Sequence, residues 1–170
     1  MNNTNTKLYT LGYGEAKTYL FAAIFVAGNI VLPQLCHFIP QGGFILLPIY
    51  FFTLVAAYKF GWKAGLITAI ASPLVNSLLF AMPPVAVLPA ILLKSTVLAL
   101  AAAFAAHTFR KIALLPILLA IAAYQLIGTL GEWAMCGSLT TALQDIRTGL
   151  PGIALQLFGG WAVLKLIRNI

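Results

Sequence analysis

Two ionisable residues stand inside long apolar stretches: Lys94 in LPAILLKSTVLAL and Glu132 in YQLIGTLGEWAMC. A charge in the middle of a membrane helix costs roughly 2.5 to 3.5 kcal/mol on insertion scales, so such groups face a cavity or one another. Two chemistries fit this pair. In one, Lys94 meets an anionic group of a ligand, commonly a carboxylate, while Glu132 accepts from a ring nitrogen or amine. In the other, Lys94 pairs with Glu132 to lock two helices, or snorkels to the interface. Asn29, Asn76, Gln125 and Gln156 add amides that either orient a polar ligand or hydrogen-bond a neighbouring helix. Tyr50, Tyr124 and Trp133 can supply aromatic walls, although Trp133 is equally placed to anchor a helix end at the interface.

A second group, Cys36 with His37, precedes the glycine pair Gly42-Gly43, and the other cysteine is Cys136. Three readings are open: ordinary thiols, a Cys36–Cys136 disulfide in an oxidising compartment, and a soft-metal or cobalt-corrinoid site that includes His37. Residues 36–43 read either as a lid or as a passive turn. There is no phosphate-cradling glycine loop, no His-Glu-x-x-His zinc motif and no Gly-x-Ser-x-Gly nucleophile elbow in the sequence. The chain is therefore expected to be no enzyme, with no catalytic residue, resident metal or cofactor.

The elements that position these residues follow from composition. Of 170 residues, 62% are hydrophobic and 8% charged, against about 25% charged in a soluble domain. The apolar residues come in long runs without a polar face, so lipid rather than a soluble core must solvate them. The sequence predicts one all-α membrane domain of six transmembrane helices over 17–35, 44–58, 62–82, 88–109, 112–135 and 150–167. Leu-Pro pairs at Leu47-Pro48, Leu88-Pro89, Leu115-Pro116 and Leu150-Pro151 mark helix starts, where a missing N–H costs least. Pro73 falls inside the third run and predicts a kink.

A net charge of +7 does not point to nucleic acid, because the Lys and Arg residues are scattered in ones and twos. They orient the bundle instead. Lys7 and Lys17 precede the first run, Lys59 and Lys63 follow the second, Arg110 and Lys111 follow the fourth, and Lys165 and Arg168 close the chain. Positive loops collect on the cytoplasmic side, which predicts that both termini are cytoplasmic. Asn29, Tyr50, Asn76, Lys94 and Gln156 then lie about 9 Å inside the outer boundary at 1.5 Å per residue. Glu132 is slightly shallower and Gln125 deeper. An outward-facing polar pocket is expected there.

The stretch from Leu47-Pro48-Ile49-Tyr50 through Lys63-Ala64-Gly65 to Ser72-Pro73-Leu74-Val75-Asn76 resembles helices two and three of the substrate-binding S components of energy-coupling factor (ECF) transporters. Ala23-x-x-x-Ala27 is similar to the small-residue motif by which S components dock on their coupling subunit, and small residues four apart do let helices approach closely. Ala99-x-x-x-Ala103 and Ala102-x-x-x-Ala106 have the same form.

The resemblance implies a multi-pass protein of a bacterial or archaeal inner membrane that captures a vitamin or similar micronutrient on the outer face. Release inward would follow association with a membrane coupling subunit and two ATPase subunits, which hydrolyse ATP. The chain departs from the biotin-binding type. A Lys94/Glu132 pair suits a zwitterion or a carboxylate on a polar ring, whereas Cys36-His37 suits a cobalt corrinoid. A structural membrane scaffold subunit without a small-molecule ligand shares the same six-helix outline. A solitary channel would need polar residues through the inner half, where the sequence has few.

Overall fold

The computed structural model describes residues 8–169, so Lys7 lies outside the described residues; among those described there are helices and no strand. Four helices are long and apolar enough to cross a membrane: α1 (Ala16–Cys36), α4 (Trp62–Phe80), α5 (Leu88–Phe109) and α6 (Leu114–Cys136). Two shorter apolar stretches, Pro48–Phe60 and Leu150–Leu166, accompany them. The outward faces of the long helices expose Leu20, Ile24 and Val31 on α1, Leu100 and Phe104 on α5, and Leu118, Leu126, Ile127 and Leu130 on α6. Soluble monomers do not display apolar surface on that scale; this is a multi-pass membrane protein built as a helical bundle.

The segment expected as one helix over 44–58 is divided. A short α2 (Gly42–Leu46) stops at Leu47, which takes a left-handed φ of 46°, and a 3₁₀ turn (Pro48–Tyr50) leads into α3 (Phe51–Phe60). The cause is local: Pro48 bars right-handed helix at the residue before it and supplies no N–H. α3 is short but central. Its residues are buried almost throughout, packed by α1, α4, α5 and the last helix, α10 (Gly160–Leu166). At its end Gly61, with φ of 92°, turns the chain directly into α4, a conformation that favours glycine. α4 continues through Pro73 as one helix.

Between α6 and the last apolar stretch lie three short helices, α7 (Leu139–Ala142), α8 (Gln144–Arg147) and α9 (Leu150–Ala154). α9 runs into a π-helical turn, Leu155–Gly159, and then into α10. The basic residues flanking the runs share one end of the bundle. There Lys59 Nζ donates to the Arg168 carbonyl at 2.8 Å, Tyr58 Oη to the Lys111 carbonyl at 2.6 Å, and Lys63 lies over the Tyr13 ring.

Candidate functional site

Lys94 sits in the second turn of α5, about 20 Å along the helix from the basic end at 1.5 Å per residue. Its ammonium lies 2.5 Å from Glu132 Oε2 on α6 and 2.7 Å from Asp145 Oδ2 on α8. The Lys94 side chain is 3% exposed, whereas Glu132 and Asp145 keep 15% and 16%. Close approach of α5 and α6 makes this possible: a Cβ on Gly128 would come within 2.5 Å of Lys94 Cγ. The lysine stem crosses α6 where that helix has no side chain and reaches Glu132 one turn further on.

The two carboxylates are two of the three acidic residues in the chain. Of the alternatives open for Lys94, the structure realises the pairing with Glu132 and adds a second carboxylate, so the ammonium is not free for a ligand anion. Asp145 is the member that sequence reasoning missed. It lies in a connection beside Arg147 and reads there as an ordinary loop charge; the scarcity of acidic residues was the signal that could have singled it out.

A neutral layer adjoins the ion pairs. Tyr124 Oη on α6 donates to Gln156 Oε1 at 3.0 Å, and Gln125 Nε2 donates to Tyr124 Oη at 3.1 Å. The Tyr50 ring is tilted against that of Tyr124 with centroids 5.3 Å apart. Gln156 belongs to the π-helical turn, and Tyr50 to the 3₁₀ turn that precedes α3. Four buried polar atoms here have no protein partner: Gln125 Oε1, Gln156 Nε2, Thr129 Oγ1 and Ser95 Oγ. Gln125, Thr129 and Glu132 recur on one face of α6, at the spacing of successive helical turns. Buried polar groups are nearly always satisfied, and leaving one without a partner costs about 1 to 3 kcal/mol. An orphaned cluster of this kind is what a polar ligand would complete.

No protein-family model, curated protein or solved structure matches the chain.

The other expected site residues fall elsewhere. Asn29 Nδ2 donates to Thr53 Oγ1 at 3.1 Å and to Ser72 Oγ at 3.2 Å, while its Oδ1 accepts from the Phe52 amide at 3.1 Å. Asn76 Nδ2 donates to the Asn29 and Ser72 carbonyls at 2.9 and 3.0 Å, and only its Oδ1 is left without a partner. These two amides form a clamp joining α1, α3 and α4 and are not part of the Lys94 cluster. Trp133 is exposed at the end of α6, the position of an interfacial anchor rather than a wall. Cys36 is buried and its neighbour His37 exposed. Cys136 is exposed and both thiols are free, the ordinary-thiol alternative among the three readings.

Two surface cavities are lined by residues outside the cluster. One, about 800 Å³, opens at the basic end among Tyr9, Tyr58, Trp62, Phe104, His107 and Arg110. The other, about 470 Å³, lies over α7 and α8 and is lined by Thr140, Thr141, Gln144, Arg147 and Thr148. Neither includes Lys94, Glu132 or Asp145. The short α8 carries Asp145 onto the lysine and so helps to cover it.

Proposed function

We propose that this chain is the substrate-binding subunit of an ECF-type uptake transporter, capturing a vitamin or similar micronutrient. The observation that carries the reading is the set of buried, unpartnered polar atoms beside the Lys94 ion pairs, inside an otherwise apolar bundle. A scaffold gains nothing from such atoms and would be more stable without them.

In this reading Pro48–Phe60 and Leu150–Leu166 complete six spans with α1, α4, α5 and α6. The basic end is cytoplasmic by the positive-inside rule, which puts both termini there and the cluster in the outer half. The host is a bacterial or archaeal inner membrane. Docking on a membrane coupling subunit falls to α1, where Ala23 and Ala27 are exposed. Ala99, Ala102 and Ala106 are buried and serve the packing of this bundle itself. ATP hydrolysis belongs to two partner subunits, and no catalytic step is assigned to this chain.

Native mass spectrometry of the chain purified gently in detergent tests the reading. A small molecule retained at one per chain is the expected result. A well-folded chain that is empty, and that stays empty after exposure to a panel of vitamins, would refute it in favour of the scaffold.

A further inference from the structure

The charge balance of the Lys94 cluster bears on what the site takes, an inference that rests on the binding-subunit reading above. One ammonium faces two carboxylates, so this contact set by itself carries one formal negative charge in excess; Arg147, the other charged residue of α8, is exposed. Access sharpens the point. The ammonium is sealed at 3% exposure, while the carboxylates keep 15% and 16%. A ligand anion cannot reach the Lys94 ammonium without expelling Asp145 from its 2.7 Å bond.

From these observations we infer that the ligand is an organic cation, held by Glu132 and Asp145 through N–H donors, rather than the carboxylate or zwitterion expected from the sequence. In that expectation Lys94 awaited an acid; in the structure the acid is supplied by the chain itself. Lys94 is then a positioning residue. It holds two carboxylates together that would otherwise repel each other, and it tolerates their joint excess of one negative charge until a cation arrives.

The orphaned amide atoms define the rest of the ligand. Gln125, 5% exposed, offers its Oε1 as an acceptor, and it shares a face of α6 with Glu132. Gln156, 1% exposed, offers its Nε2 as a donor. A complementary molecule carries a protonated amine, amidine or ring nitrogen with at least two N–H donors, and one acceptor nearby such as a ring nitrogen or carbonyl. The Tyr50 and Tyr124 rings add aromatic faces to this layer, which attract cations and stack on planar rings.

Benzamidinium and benzoate are planar probes of nearly the same shape and opposite charge. The test is a thermal melt of the detergent-purified full chain with each, together with the electrophoretic charge of any molecule released from it on denaturation. Benzamidinium should raise the melting temperature and benzoate should not. In Glu132→Gln, which keeps the Lys94–Asp145 pair and so the fold, the half-maximal benzamidinium concentration should rise about tenfold or more. Asp145→Asn is the second variant, with the same expectation.

A released cation, or a benzamidinium effect weakened in these variants, supports the inference. Stabilisation by benzoate alone, a released anion or neutral molecule, or benzamidinium stabilisation unchanged in both variants overturns it and leaves the binding-subunit reading standing. No released molecule and no stabilisation by either probe overturns the inference, and the binding-subunit reading is then decided separately by the vitamin panel.

Discussion

Replacing Lys94 by Met tests the electrostatics of the bundle most directly. Methionine is unbranched and close in length, so the stem can still cross α6 at Gly128, and the change removes the charge with little loss of packing. What remains is a pair of carboxylates with no cation between them. Breaking a fully buried ion pair costs about 3 to 5 kcal/mol, mostly because the surviving charge is stranded. Here Glu132 and Asp145 keep 15% and 16% exposure, which places the loss at the low end, about 3 kcal/mol, or roughly 150-fold in the folding equilibrium.

The same reasoning fixes the sign of a rescue. Adding Glu132→Gln and Asp145→Asn to Lys94→Met removes the stranded charges and should restore most of the lost stability, since neutral replacement of a buried charge set is often tolerated. Reversible unfolding by SDS in mixed micelles measures all of these. A Lys94→Met chain within about 0.5 kcal/mol of the original would refute the reasoning, as would a triple variant less stable than Lys94→Met alone.

Two further predictions concern residues outside the cluster. Asn29→Leu removes bonds to Thr53, Ser72 and the Phe52 amide; at about 0.6 kcal/mol for each hydrogen bond in a membrane protein the loss is about 2 kcal/mol, read by the same SDS titration. Alkylation with iodoacetamide should label Cys136 in the folded chain and Cys36 only after denaturation, because the first is exposed and the second buried; mass spectrometry of the labelled chain would count the modified thiols, and a chain with neither thiol reactive after denaturation would contradict the absence of a disulfide.

The sequence announced Lys94 and Glu132 because a charge in an apolar run is conspicuous wherever the helix turns. Asp145 gave no such signal, since a carboxylate in a polar connection is ordinary until folding places it on a lysine 51 residues earlier in the chain. Depth counting put Asn29, Asn76, Lys94 and Gln156 in one layer, but depth fixes height along the bundle and not direction around it. The structure turns the two asparagines towards α1, α3 and α4 and leaves Lys94 and Gln156 on the other side. The break at Leu47 was legible in principle from Pro48. The Leu155–Gly159 π-helical turn was not, because nothing in its residue types distinguishes it from α-helix and only packing reveals it.

That turn has a consequence for how the chain tolerates changes in its length. A π-helical turn holds one residue more than the α-helical turn it replaces, so it acts as an accommodated insertion. Deleting one residue between 155 and 159 would let the segment close into regular α-helix, and α9 would then rotate by about 100° relative to α10. Gln156 would leave the side of Tyr124, and α8, which leads into α9, would carry Asp145 away from Lys94. A one-codon deletion ten or more residues after Asp145 is thus expected to dismantle the Lys94–Asp145 pair.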